Sequence, residues 1–163
     1  MHRFSHDCNR EFEWEERCGG LQTPDSTDKW SGRLNVVALN KENLAVYLLD
    51  DDLSMLKATS RLLDSVGWRV ETFSDPIAFL RQAAMHWPDV AIIDILMPDM
   101  NGLEVQARLR WISPSTRVIV LTARDDPSVR RTAMNAGASA FFIKGVESSE
   151  LLAGVKAAAD SIN

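Results

Sequence analysis

Five short runs of apolar residues, rich in β-branched side chains, alternate with longer segments whose apolar residues recur at helical spacing. The short runs cover residues 44–49, 68–73, 90–94, 117–121 and 140–143. Runs of this length and composition are typical of strands that are buried on both faces of a sheet. Strict alternation of strands and helices predicts a parallel sheet with helices on both faces, a doubly wound α/β sandwich of about 120 residues.

Residues that begin or end helices lie between these runs. Gly67 follows a stripe of apolar residues with helical spacing and suits a left-handed turn at the end of the first helix. Cap and first-turn residues mark the starts of the later helices, at Asp75-Pro76, Asn101-Gly102, Asp125 or Asp126 with Pro127, and Ser148 or Ser149. The sequence therefore predicts five consecutive strand–helix units.

Composition and charge limit the classes of function. The 163 residues are 45% hydrophobic and 25% charged, which is typical of a globular domain. The formal net charge of -5 does not favour direct binding of nucleic acid by this chain. The longest apolar run is too short to cross a bilayer, and no secretory leader opens the chain, so we expect a cytoplasmic protein without a membrane anchor.

The chain divides into two unlike parts. Residues 1–43 are polar and lack a periodic apolar pattern, so we expect a largely flexible N-terminal extension, with residues 44–163 forming the folded domain. Within that domain we expect Trp68, Trp87 and Trp111 to pack inside the fold. We expect the charges of Arg130 and Arg131 to lie on a solvated helix face, with a docking role not favoured.

Ionisable and hydroxyl side chains occur where four of the predicted strands finish. They are Asp50, Asp51 and Asp52 after the first strand, Asp94 after the third, Thr122 after the fourth and Lys144 after the fifth. Ligands of doubly wound sheets bind at the carboxyl ends of the strands. Taken singly, each residue fits an ordinary role, such as a helix cap for Asp52 or a surface charge for Lys144. Their joint occurrence at one edge favours a shared site.

The residue types predict the chemistry of this site. Carboxylates held close together repel one another, and one takes up a proton unless a cation lies between them. A hard divalent cation that prefers oxygen ligands, Mg²⁺, suits such a cluster. A carboxylate beside a metal ion, an ammonium group and a hydroxyl group can act as a nucleophile toward phosphorus and form an aspartyl phosphate.

Four segments of the chain resemble the response-regulator receiver domains of two-component signal transduction, the CheY-like superfamily. They are VYLLDDD at 46–52, IIDILMPDMNGLE at 92–104, VLTA at 120–123 and AGASAFFIK at 136–144. The resemblance covers residues 44 to about 161. It implies a flavodoxin-like (βα)5 fold whose parallel sheet has the strand order 2-1-3-4-5.

The resemblance also implies a phosphoacceptor and a metal site. Asp94 would accept a phosphoryl group from a sensor histidine kinase or a histidine phosphotransfer protein. The domain would catalyse its own phosphorylation and dephosphorylation, without being a turnover enzyme. Asp51 would bind Mg²⁺ directly and Asp50 largely through water. Asp94 itself and the backbone carbonyl of Leu96 would complete the protein ligands.

The remaining residues of the resemblance form a switch. Lys144 would pair with Asp94 and then with the phosphoryl group, while the Thr122 hydroxyl would move to a phosphoryl oxygen. The ring of Phe141 would move inward with Thr122, remodelling the surface of helix four, strand five and helix five, which is also a candidate homodimer face. The family usually has a proline after the lysine, often with a cis bond. Here the residue is Gly145, so the sequence does not determine whether the Lys144–Gly145 bond is cis or trans.

Two rival functions remain open from the sequence. A pseudo-receiver would use the same fold as an interaction module and never accept phosphate, which the intact set of acidic, hydroxyl and lysine residues disfavours. An Mg²⁺-dependent phosphohydrolase would need an acidic residue two positions after Asp94, where Leu96 stands. We expect either a stand-alone receiver or a piece of a longer regulator.

Overall fold

The computed structural model describes residues 43–161, in which five strands and five helices alternate. The elements are β1 (Ala45–Leu49), α1 (Leu53–Asp64), β2 (Arg69–Phe73), α2 (Pro76–His86), β3 (Val90–Ile93), α3 (Gly102–Ile112), β4 (Arg117–Thr122), α4 (Pro127–Asn135), β5 (Ala138–Ile143) and α5 (Ser148–Asp160). The predicted alternation is confirmed. Apart from its last residue, the extension expected over residues 1–43 lies outside the described part of the chain.

All five strands pair in parallel, in the order β2-β1-β3-β4-β5. The doubly wound sandwich and the order that the resemblance implies are therefore both correct. Strand order reverses between β1 and β3, which are neighbours in the sheet although β2 lies between them in sequence. The carboxyl ends of β1 and β3 flank this switch point, where ligands of such sheets bind.

Apolar side chains fill both faces of the sheet. On one face, Leu56 and Leu63 of α1 and Val155 of α5 pack in one cluster with inward residues of β1, β3 and β4. On the other face, α2 and α3 cover a second cluster, and α4 and the end of β5 cover a third. The four residues of β3 are all buried, as expected for the central strand of a sheet covered on both sides.

Side-chain caps start four of the helices. Asp52, Asp75, Asn101 and Asp126 are the N-cap residues of α1, α2, α3 and α4, and each side chain accepts hydrogen bonds from backbone N–H groups of the first turn. The predicted serine cap of α5 is wrong. Glu147 occupies that position without a side-chain cap bond, and Ser148 is already helical. The tight turn before it, where the Val146 N–H donates to the Ile143 carbonyl, brings the chain into the helix early.

The expectation for the tryptophans holds only for Trp68, which is buried in the first cluster. Trp111 on α3 is 87% exposed, and Trp87, the C-cap residue of α2, is also exposed. Both stand at helix ends, where a side chain can point past the sheet rather than onto it. Among the described residues, none of the helices combines the length and apolar character that a bilayer crossing requires.

Candidate functional site

Backbone pairing brings the ends of the strands to one edge of the sheet. The Asp94 N–H donates to the carbonyl of Leu49, which places Asp94 beside the end of β1. The Lys144 N–H donates to the carbonyl of Thr122, which places Lys144 beside the end of β4. The pairing of the strands therefore positions the predicted site residues before any side-chain contact is considered.

Three carboxylates form an acidic cluster at this edge. Asp50 and Asp94 are only 2% and 3% exposed, whereas Asp51 is exposed. One carboxylate oxygen from each of the three lies within 4.8 Å of the others. Asp52 is not part of this cluster, because its side chain caps α1. The three clustered side chains offer the oxygen ligands that Mg²⁺ prefers, so the donor set fits a divalent cation.

Lys144 bridges the two buried carboxylates. Its Nζ lies 2.8 Å from Asp50 Oδ2 and 2.7 Å from Asp94 Oδ2. Burial alone lowers the pKa of Lys144, but the hydrogen bonds and negative charges of Asp50 and Asp94 outweigh it, so its pKa is raised and the ammonium form persists. The ammonium group therefore offsets part of the repulsion within the acidic cluster.

The pKa of Asp50 is raised despite its contact with Lys144. Burial raises its pKa above the ordinary value, and the negative charge of Asp94 acts in the same direction. The Lys144 hydrogen bond and the Asp52 N–H, which donates to Asp50 Oδ1 at 2.9 Å, lower the pKa without cancelling this effect. The cluster thus contains more buried negative charge than Lys144 compensates, and a cation would relieve the excess.

Thr122 in β4 and Phe141 in β5 are both buried. Thr122 is buried, and its Oγ1 has no hydrogen-bond partner among the described residues. An unpaired buried hydroxyl is costly and rare, which marks it as a group that awaits a partner. Phe141 is buried beside Ile95 and Val120, with its ring inside the third cluster.

The loop after Asp94 has two features that the site depends on. The Leu96 N–H donates to Asp94 Oδ1 at 3.1 Å, which orients the carboxylate, while the Leu96 side chain is exposed. Gly102, the first residue of α3, lies so close to Asp94 that a Cβ there would overlap the Asp94 carbonyl oxygen. The sequence pattern around Gly102 predicts only that it lies at the start of a helix.

The question left open at Gly145 has a definite answer. None of the described peptide bonds is cis, and Gly145 has a φ of 94°. This left-handed conformation is one that glycine adopts at little cost. The turn after Lys144 therefore has a trans peptide bond and depends on the positive φ of Gly145.

The expectation of a solvated helix face holds only in part for Arg130, because its side chain is 42% exposed but also contacts Phe141. Its guanidinium carbon lies 4.5 Å from the centroid of the Phe141 ring, and its Nη1 donates to the Phe141 carbonyl at 3.3 Å. Arg131, the next residue, is exposed as expected. The two partners are 11 residues apart in sequence, so no local pattern indicates the contact.

Comparison with known proteins agrees with this geometry. The family model described as "Response regulator receiver domain" matches residues 46–156. The chain belongs to the response regulator receiver family. The match covers all five strands except the first residue of β1, and it includes the acidic cluster, Thr122, Phe141 and Lys144.

Individual relatives support the same family. The response regulator protein TmoT of Ectopseudomonas mendocina is 33% identical over 130 residues, which are 80% of this chain and 59% of that protein. A CheY-like receiver domain from Methanospirillum hungatei JF-1 superimposes with a TM-score of 0.69 at 27% identity, covering 72% of this chain and 94% of that one. A beryllofluoride-activated DrrB receiver domain gives 0.66 at 31% identity, covering 72% and 97%. The chain spans about half the length of the curated relatives that it matches.

Proposed function

We propose that this receiver domain is a phosphorylation switch in which Asp94 accepts a phosphoryl group. The donor is a phosphohistidine on a sensor histidine kinase or a histidine phosphotransfer protein, and the reaction requires Mg²⁺. The observation that carries the proposal is the buried Asp94 carboxylate, with the Lys144 ammonium 2.7 Å from one oxygen and two further carboxylates within 4.8 Å. This combination is what phosphoryl transfer to a carboxylate requires.

The transfer step forms one P–O bond and breaks one P–N bond. A carboxylate oxygen of Asp94 attacks phosphorus and forms the P–O bond of an acyl phosphate, while the P–N bond of phosphohistidine breaks and its electron pair stays on the imidazole. Lys144 stabilises a phosphoryl oxygen, and the unpaired Thr122 hydroxyl donates to another. Asp51, Asp94 and the Leu96 carbonyl would hold Mg²⁺ directly and Asp50 largely through water, and the ion would supply positive charge that offsets the phosphoryl oxygens.

Phosphorylation acts on the output surface through Thr122 and Phe141. When the hydroxyl of Thr122 moves to the phosphoryl group, the space it leaves is filled by the inward ring of Phe141. The surface that this changes is formed by α4, β5 and α5, and it would contact an effector or a second copy of the chain. We assign this switch to a receiver domain of residues 44–163 in the cytoplasm, with residues 1–43 as an extension.

The two rival functions are less well supported by the same geometry. A pseudo-receiver has no need for an unpaired buried hydroxyl or for a buried carboxylate–lysine pair, and both are costly to keep. A phosphohydrolase needs a second acid to activate water, and the residue two positions after Asp94 is the aliphatic Leu96. Hydrolysis of the aspartyl phosphate therefore resets the switch rather than turning over a metabolite.

Incubation with acetyl phosphate and Mg²⁺, followed by intact-mass measurement, tests the proposal. The expected result is a gain of one phosphoryl group that is lost in Asp94→Asn and when the metal is chelated. Asp94→Asn is the matched control, since it keeps the shape of the side chain and removes the nucleophile. Absence of any mass gain in the wild-type chain would favour a pseudo-receiver, and rapid consumption of many equivalents would favour a hydrolase.

A further inference from the structure

Arg130 holds the ring and the backbone of Phe141 at once. The guanidinium carbon stands 4.5 Å from the ring centroid, within the range of cation–π attraction. The Nη1 group also donates to the Phe141 carbonyl at 3.3 Å. A ring that swung outward would lose the stacking contact, so the guanidinium favours the inward position of Phe141 over an outward one.

The same guanidinium is tied to the loop that follows Thr122. Arg130 Nη2 and Nε lie 3.1 Å and 3.4 Å from Asp125 Oδ1 in the segment between β4 and α4. Arg130 itself is in the first half of α4, where its N–H donates to the carbonyl of the cap residue Asp126. One side chain therefore connects the loop after Thr122, helix α4 and strand β5.

We propose that Arg130 is a positioning residue that holds Phe141 inward before phosphorylation, so that the unmodified domain already favours the arrangement of its phosphorylated form. The inference rests on the proposed function, because an inward ring matters to signalling only if Asp94 and Thr122 form the switch. A group that stabilises one of two conformations raises its population in proportion to that stabilisation. Removing Arg130 should therefore shift Phe141 toward the outward position.

The contacts predict a moderate effect. The ion pair with Asp125 is largely exposed, and such pairs contribute little. The stacking of a partly exposed guanidinium on an aromatic ring contributes more, and it acts on Phe141 directly. We expect removal of Arg130 to reduce the inward-to-outward ratio about two- to fivefold, and removal of the Asp125 charge to reduce it less.

Coupling between the two sites is reciprocal. If inward Phe141 favours phosphorylation of Asp94, then phosphorylation favours inward Phe141 by the same factor. The rate of phosphorylation from acetyl phosphate should fall in Arg130→Ala by less than the change of about two- to fivefold in the inward-to-outward ratio, because the rate follows the fraction of chains with Phe141 inward. Affinity for Mg²⁺ should not change, since Arg130 contacts none of the three clustered carboxylates in the structure.

Fluorine NMR of chain labelled with fluorophenylalanine tests the position of the ring without any phosphodonor. Phe141→Leu assigns the signal among the six phenylalanines. In the unphosphorylated wild-type chain, the Phe141 signal should be protected from a soluble paramagnetic probe, and Arg130→Ala should show loss of that protection. Arg130→Lys, which retains a cation but not the guanidinium fork, should lie between them, and Asp125→Asn should stay nearer the wild type.

Arg131→Ala is the matched control, because it removes the same charge from the neighbouring, exposed position of α4. Equal protection of Phe141 in wild type, Arg131→Ala and Arg130→Ala would overturn the inference, whatever the chain does with acetyl phosphate. Loss of protection in Arg131→Ala as well would also overturn it, since the effect would then be one of charge alone. Failure of Asp94 to accept phosphate would instead count against the proposed function and leave the ring measurement interpretable.

Discussion

We expect the side chain of Leu96, two residues after Asp94, to flank the approach of a water molecule that hydrolyses an aspartyl phosphate at Asp94. Its side chain is 46% exposed and carries no group that could orient water, while its backbone N–H is engaged with Asp94 Oδ1. Arg124, two residues after Thr122, is exposed. Leu96→Asn should speed dephosphorylation several-fold, because an amide can position the attacking water. Phosphate release over time measures this.

The control for this change is Ile77→Asn, which alters an exposed aliphatic residue on α2 in the same way. Mg²⁺ affinity should be unaffected in Leu96→Asn, because only the backbone of residue 96 is proposed to bind the metal. A decay rate equal to or below that of the wild type would show that the side chain at position 96 does not govern access of water.

Tyr47 provides a pH-dependent signal from the core. Burial, followed by the charge of Glu71, raises its pKa to about 12, because both disfavour tyrosinate. Since the unfolded-state pKa is near 10, the resulting stabilisation is complete below about pH 10 and is lost as the pH rises through about 12. Tyr47 is the one tyrosine in the sequence, so tyrosinate absorbance reports it alone.

We expect an absorbance midpoint near pH 12 for the folded chain and near 10 in urea. Glu71→Gln should lower the folded-state midpoint modestly, since it removes a negative charge on the neighbouring strand. Titration near pH 10 while circular dichroism still shows a folded chain would contradict the burial of this hydroxyl.

At the scale of elements, the start of a helix could be predicted from the sequence wherever neighbouring residues alone determine it. Capping depends on a side chain and the N–H groups two or three residues later, so Asp75 and Asn101 could be identified from their neighbours alone. The start of α5 could not, because the turn at Gly145 determines it. The close approach of Gly102 to Asp94 depends on how α3 packs on β3, which no local pattern encodes.

Gly102→Ala tests whether the N-terminus of α3 sets the position of Asp94. A Cβ at residue 102 would overlap the Asp94 carbonyl and lie 2.8 Å from Ile95 Cα, so the backbone around Asp94 must shift. We expect a loss of about 1–3 kcal/mol in the free energy of unfolding, with slower phosphorylation from acetyl phosphate. Urea denaturation and the phosphorylation rate measure the two effects.

A destabilising change elsewhere in α3 separates these effects. Ala107→Gly lies on the exposed side of the helix and should cost about 0.5–1 kcal/mol through backbone entropy alone. It should leave the phosphorylation rate unchanged. If Gly102→Ala and Ala107→Gly slow phosphorylation equally, the approach of Gly102 to Asp94 has no special role in placing the nucleophile.

For the whole molecule, topology decided what the sequence could predict about the site. Alternation of elements fixes a parallel sheet, and parallel strands must bring Asp50, Asp94, Thr122 and Lys144 to one edge. The strand order itself came from the resemblance, since alternation alone allows several orders. Contacts such as that of Arg130 with Phe141 join elements through side chains, and they become visible only when the packed structure is known.

The carboxylates that are proposed to bind metal repel one another. This repulsion lowers the stability of the metal-free fold. Asp50 and Asp94 are buried with one lysine between them, and Asp51 adds a third carboxylate. Asp51→Asn removes one repelling charge from an exposed position, so it should leave the metal-free chain as stable as the wild type or slightly more stable. The same change should remove most of the response to Mg²⁺.

Urea unfolding at matched ionic strength, with and without Mg²⁺, measures this response. An ion that binds only the folded chain stabilises it by an amount that depends on its concentration relative to its Kd, about 2.7 kcal/mol at a hundredfold excess. We expect this increment in the wild type and in Asp64→Asn, an exposed acid at the end of α1 outside the cluster. Asp51→Asn should show little of it. An equal Mg²⁺ increment in all three chains would place the metal elsewhere, because stabilisation through this cluster requires the carboxylate that Asp51→Asn removes.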